Sequence, residues 1–242
     1  MYLDWLEKSK NAQYRRLFYY TSPDHLISNL SNKRIKISQF DRCNDIFELA
    51  SFDLRDRRVR DRHRKWLEQC TKCTGLICLS EDWRNHLMWG HYAKSGTGVC
   101  LVFDVCKKNL KKVSYISERE QVSSDYEFPK PESDKNFFSA CSKKSTQWGY
   151  EKEHRYFVDY SQNGVVFDSG KKFLNFSESF ELVGFINGPN PELSVEEILS
   201  SGCGKLRYFQ CRASFKEFRM VVQQNKKRWR VESGSNDEVN SK

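Results

Sequence analysis

Apolar and polar positions alternate and cluster along this chain so as to predict many short strands and helices in no repeating order. After an amphipathic lead from Tyr2 to Leu6, LFYY at 17–20 reads as a strand that ends in a Thr-Ser-Pro turn. Ser22 then stands as an N-cap with Pro23 at the first helical position, and Leu26, Ile27 and Leu30 recur at helical spacing until Asn32. RIKIS at 34–38 alternates as a short strand. FDRCNDIFEL follows as a loop, because Asn and Asp favour turns, with Phe40 and Phe47 as its expected anchors. From 53 to 70, Val59, His63, Trp66, Leu67 and Cys70 share one helical face while Arg and Asp fill the remainder, which predicts a surface helix with a basic outer side.

GLICLS at 75–80 reads as a buried strand, and a helix is expected around His86 to Ala93. VCLVFDV at 99–105 is the clearest strand, long and apolar enough to be buried on both faces. Lys107 to Lys112 and the Pro-containing stretch 127–135 read as exposed loops. NFFSACSKKSTQW reads as a helix leading into the strand EKEHRYFVDY. ELVGFINGPN at 181–190 is a strand closed by a Gly-Pro turn, SVEEILSSGCG a short helix ended by Gly202, and KLRYFQCRA a last strand. With no repeat and no strong linker, residues 1–232 read as a single α+β domain, followed by a polar, disordered tail at 233–242.

Composition narrows the functional classes. The 242 residues carry 41 Lys+Arg against 32 Asp+Glu, a net charge of +9, and 14% aromatics rule out wholesale disorder. No apolar run approaches the roughly 20 residues that span a bilayer, and MYLDWLEKSK has no apolar leader core, so the expectation is a cytoplasmic protein with no membrane partner. Nine cysteines are an odd number, and Cys70-x-x-Cys73 has no second pair at zinc-finger spacing. Cys78, Cys100 and Cys106 then read as small buried hydrophobes, and no metal is called for.

Four phrases carry a resemblance: FYYTSPDHLISNLSNKRIKIS, FDRCNDIFEL, CLSEDWRNHLMWGHYAKSGTGVCLVFDV and WGYEKEHRYF, with a weaker ELVGFINGPN. Together they resemble a widespread, largely uncharacterised bacterial family with abortive-infection (phage-defence) members. Ile46 departs from the Pro that this family usually has in the same phrase. The order of elements is similar, more distantly, to the ADP-ribosyltransferase fold, which implies a single-domain, split antiparallel or mixed β-sheet core with flanking helices. In that fold a first strand carries His or Arg, a second carries Tyr or Ser before a helix ending near Tyr-Ala, and a catalytic Glu opens a later strand.

Carried onto this chain, the resemblance implies NAD as substrate and Glu153 as the catalytic carboxylate, with Glu151 orienting or deprotonating the acceptor. Cleaving the nicotinamide–ribose bond builds positive charge on the ribose carbon, and a fixed carboxylate stabilises it. Glu151 and Glu153 point to opposite sides of a regular strand, so a cleft uses both only where the backbone bends. Tyr19 stands where other transferases of this fold have His, with Tyr20, Thr21, Ser80 and Tyr92 expected to line the NAD cleft. Arg155 alternates onto the face of Glu153 and can pair with it or bind pyrophosphate.

Other readings stand beside this one. EKEHR also has the alternation of a solvated edge strand, and Trp83, Trp89 and Trp148 read first as core, His91 as a hydrogen-bonded helix residue. No Gly-x-Ser-x-Gly elbow and no GxxxxGK[ST] loop occurs. Arg55, Arg57, Arg58, Arg60, Arg62, Arg64 and Lys65 crowd one segment, interrupted by Asp56 and Asp61, and this footprint suits a nucleic acid, RNA or DNA, or an acidic antitoxin protein. The expectation is therefore a toxin or phage-defence effector that transfers ADP-ribose to a macromolecule. The alternatives are a non-catalytic nucleic-acid-binding module or a nuclease holding a metal through Asp41, Asp45, Glu48 or Glu151.

Overall fold

The computed structural model describes residues 4–131, 136–202, 204 and 206–229. Along the chain these form α1 (Asp4–Glu7), β1 (Tyr14–Thr21), α2 (Pro23–Ser31), β2 (Arg34–Lys36), α3 (Arg57–Cys73), β3 (Thr74–Ser80) and α4 (His86–Tyr92). There follow β4 (Val99–Cys106), β5 (Leu110–Lys112), β6 (Ser114–Ile116), α5 (Phe137–Ala140), β7 (Lys143–Ser145) and β8 (Glu153–Asp159). The last are β9 (Val165–Asp168), β10 (Lys171–Asn175), β11 (Phe180–Asn187), α6 (Val195–Ser200), β12 (Arg207–Ala213) and β13 (Met220–Val222). The chain is thus α+β with mixed sheet, and it clusters into two compact units. The tail expected at 233–242 lies outside the described residues.

The first unit comprises residues up to 19, 34–83 and 102–182. Its main sheet runs β11, β4, β1, β3, β8, β5 through the portions of those strands that it contains. β8 therefore has a neighbour on each flank: Ser80 of β3 faces Glu153, and Lys112 of β5 faces His154, both antiparallel. β4 is buried from Val99 to Val105, as its unbroken apolar run demands. A hairpin of β9 and β10 continues onto β2, and β6 pairs in parallel with β7. At Gly75 a Cβ would sit 2.4 Å from Cγ2 of Ile37 and 2.8 Å from the Ser38 carbonyl, so only glycine lets these backbones approach.

α3 begins at Asp56, whose carboxylate accepts from the Arg58 amide at 2.6 Å. Its apolar stripe buries Val59, His63, Trp66 and Cys70, and the last two pack with Phe40, Phe52, Leu76 and Phe157. Each such large side chain removed from water contributes about 1.5–3 kcal/mol, which holds a helix whose outer face is almost wholly charged. Three local expectations need correction, the first being the exposed loop expected at 107–112, which ends in β5 and pairs with β8. The helix expected over 136–148 shortens to α5, because the Ser, Lys and Thr residues that follow instead form β7 and a tight turn through Glu151. Phe47 is 56% exposed, whereas Phe40 is the anchor expected of it.

The second unit comprises residues 20–33, 84–101 and those from 183 onward. Ser22 caps α2 with Pro23 behind it, although its hydroxyl makes no capping bond, and Leu26 and Leu30 are fully buried. β11 pairs in parallel with β12, which turns back antiparallel into β13. α6 between them is fixed by a capping box of Ser194 and Glu197. Within this unit a Cβ on Gly98 would fall 2.3 Å from the Thr21 carbonyl, so the chain crosses there with backbone against backbone.

Candidate active site in the first unit

Five charged side chains meet where β8 begins. Arg155 is 0% exposed and its guanidinium donates to the Glu48 carboxylate at 2.6 and 3.0 Å, to Glu153 at 3.0 Å through Nε, and to the Cys141 carbonyl at 2.6 Å. Lys144, on β7, donates to Glu151 at 2.7 Å and pairs with Glu153 at 2.9 Å. All five are buried, so the solvated-edge reading of EKEHR does not hold: β8 is an inner strand and its alternating charges point into the protein. Three carboxylates against two cations give the group a formal charge of −1.

The bend that brings Glu151 and Glu153 onto one ammonium lies between them. Lys152 adopts a left-handed conformation, φ 45° and ψ 48°, at the end of the tight turn, so the two acids escape the opposite-sided geometry of a regular strand. Burial alone would push the Glu153 carboxyl up, but Arg155 and Lys144 outweigh it and hold the group well below the usual carboxylate range. Burial likewise works against the Lys144 ammonium, and Glu153, Cys78 and Glu151 reverse this and raise it. The Cys78 thiol is half-buried rather than fully buried as expected, and desolvation beside Glu153 pushes it well above its ordinary value, which makes it an inert neighbour and no nucleophile. The Glu153 amide donates to the Tyr115 hydroxyl at 2.8 Å, fixing the start of the strand.

Lys144 also lines an open cleft of about 220 Å³ together with Phe47, Ser51, Glu118, Arg119, Lys143 and Ser145, and Lys143 pairs with Glu120 at 2.5 Å. The Arg119 guanidinium lies 4.8 Å over the Phe47 ring and makes no ion pair among the described residues. Ser51 is 6% exposed and its hydroxyl has no hydrogen-bond partner there. Basic groups, a free hydroxyl and an exposed ring suit a ligand that is anionic at one end and planar at the other. The volume is below the usual range for whole drug-sized ligands, so it encloses one mononucleotide-sized half of a dinucleotide and leaves the other half outside.

The residues expected to line the NAD cleft divide between the two units. Ser80 and Tyr19 belong to the first. Ser80 donates to the Glu151 carbonyl at 2.6 Å, supporting the turn between the two acids through its backbone, and burial pushes the half-buried Tyr19 phenol up to about 12. Tyr20, Thr21 and Tyr92 belong to the second unit, where Tyr20 packs edge-on against Trp89 with ring centroids 5.2 Å apart. Trp83 and Trp89 are core, while Trp148 is half-buried with Lys144 4.9 Å over its ring. A second polar group lies near the site: Glu81 accepts from Lys112 at 2.9 Å and bonds His154 at 2.7 Å, and desolvation holds His154 below its ordinary value.

On α3 most of the expected phosphate-binding groups are engaged locally. Arg55 forks onto Asp53, Arg60 donates to the carbonyls of Leu54 and Arg55, Arg62 to that of Ser124, and Arg64 to Asp61. Arg57, Arg58 and Lys65 stay exposed without an ion pair among the described residues. Lys144, Arg119, Phe47 and Ser51 were not anticipated from sequence as site residues. None had a readable signal: β7, which turns Lys144 inward, is three residues long and lies in a stretch that reads as helix.

A protein family described as protein of unknown function (DUF2971) matches residues 88–156, a span from α4 into β8 that includes Lys144, Glu151, Glu153 and Arg155. The chain is similar to that family over this stretch, which fits the resemblance to an uncharacterised family and supplies no reaction. No curated protein matches the chain. No solved structure matches it either. Among the described residues no helix is long and apolar enough to cross a membrane.

Proposed function

We propose that the chain is an NAD-dependent ADP-ribosyltransferase-like enzyme, a toxin or phage-defence effector that modifies a macromolecular acceptor, RNA or DNA. The observation that carries this reading is the joining of Glu151 and Glu153 on one ammonium by the left-handed Lys152, within a buried group of net charge −1 that reaches the adjoining cleft through Lys144. A buried negative charge favours positive charge developing beside it, which is what breaking the nicotinamide–ribose bond requires. Lys144 holds both carboxylates together before the donor binds and yields them to the ribose as it enters. Arg119 holds a phosphate, Phe47 stacks on a ring, and Arg155 positions Glu153 from behind.

The test follows nicotinamide release from labelled NAD in a cell lysate, then digests labelled products separately with nuclease and protease. Wild type is expected to label a nuclease-sensitive product, and Glu153→Gln to lose about 100-fold or more in rate at unchanged secondary structure. Glu151→Gln is expected to lose transfer while retaining slow hydrolysis of NAD. Full activity of Glu153→Gln, or no nicotinamide release by a wild type that also fails to bind NAD, overturns the reading.

A further inference from the structure

The second unit carries its own charged surface, distinct from α3. Between residues 206 and 229 there are seven Lys and Arg against the single acid Glu217, a net +6 within a chain whose total is +9. Arg219 with Glu217 is the one ion pair this segment makes among the described residues. Two phenylalanines stand at the turn joining β12 and β13: Phe215 is 89% exposed and Phe218 is 96% exposed. Neither is a loose end. The Met220 amide donates to the Arg84 carbonyl at 2.7 Å, His86 Nδ1 lies 3.1 Å from the Phe218 carbonyl, and the Arg212 guanidinium sits 4.3 Å over the Phe215 ring. A built hairpin thus holds two bare rings in water, an arrangement that folding alone does not reward.

We propose that this hairpin and the basic Lys226–Arg228 turn after it bind single-stranded nucleic acid, the rings stacking on bases while the cations follow the phosphates. Sequence-tolerant single-strand binding needs these two parts, aromatic platforms and a surplus of positive charge, and here both lie along one short segment. Single strands fit better than a duplex because rings this exposed can stack only on bases that are themselves unstacked. A lipid surface fits poorly: Lys216 and Glu217 sit between the two rings and would enter the hydrocarbon with them. An acidic protein would use the cations but leaves the paired rings without a role.

The experiment is fluorescence anisotropy of the purified chain with labelled oligothymidylate and oligouridylate over a salt series, without NAD, so its result is separate from that of ribosyl transfer. Both strands are expected to bind, with Phe215→Ala and Phe218→Ala each weakening affinity about fivefold or more, and Phe215→Trp with Phe218→Tyr restoring it. Lys226→Gln with Lys227→Gln should lower the salt slope by about 0.7 for each phosphate left without its lysine. The rings are already in water, so the alanine variants should melt as wild type does. Binding unaffected by the double alanine variant overturns the proposal. So does a duplex held as tightly as the single strand, or sedimentation with phosphatidylserine vesicles by a protein that ignores both oligonucleotides. A preference between thymidylate and uridylate would assign the partner to DNA or RNA.

Discussion

The outer face of α3 and the buried group at the start of β8 use the same residue types to opposite effect. On α3, arginines reach carboxylates and carbonyls in water, and each pairing is weak because solvent screens it and the long side chain loses freedom to make it. Around Arg155 the same guanidinium is 0% exposed and holds two carboxylates and a carbonyl at once. There the desolvation is large, and removing one partner strands the others. The number of charges therefore says little about their energetic weight. What decides is whether a charge can fall back on water.

That contrast is broken or sharpened by a graded series. Arg155→Met leaves Glu48 buried without its cation and Glu153 with Lys144 alone, and urea unfolding should show a loss of about 3–5 kcal/mol; a loss below about 1 kcal/mol would put the two regions on an equal footing. Acid should follow next. Glu153 and His154 both have folded values below their unfolded ones of 4.5 and 6.5. Each contributes stability that is present above its unfolded value and lost as pH falls through its folded one. The melting temperature should therefore begin to drop below pH 6.5 and fall faster below 4.5, and a flat profile across that window would contradict the buried charges. Asp56→Ala, which removes the α3 cap, should cost about 1 kcal/mol by the same urea measurement. The smallest effect is expected from Arg57→Gln with Arg58→Gln, a shift in melting temperature within about 2 °C.

Regular elements were legible wherever one periodicity ran long enough. β4 declared itself by an unbroken apolar run, and α3 by a stripe that the structure buries at Val59, His63, Trp66 and Cys70. Short elements were not. The β9–β10 hairpin turns through Ser169 and Gly170, both at positive φ, a turn dipeptide that went unread because the flanking strands are only half-buried. β6 and β7 are three residues each and exist because they pair with one another. At the candidate site, alternation correctly put Glu153 and Arg155 on one face, yet it carries no information about whether that face meets water. Glu48 could not be foreseen as a partner, because nothing local in the chain points from a loop to a strand so far away. The left-handed Lys152 was equally hidden, since a lysine offers no sign of positive φ.

The Glu48–Arg155 ion pair spans 107 residues. During synthesis at about 5–20 residues per second, Glu48 leaves the ribosome roughly 5–20 s before its guanidinium does. For that interval closing the 40–50 loop would bury the carboxylate alone, a cost that favours leaving the wall of Phe47 and Ser51 open until β8 arrives. The ion pair thus acts as a clock as well as a bond: the site is assembled late, after the strands that frame it have been made, and a chain stopped short of Arg155 never acquires it.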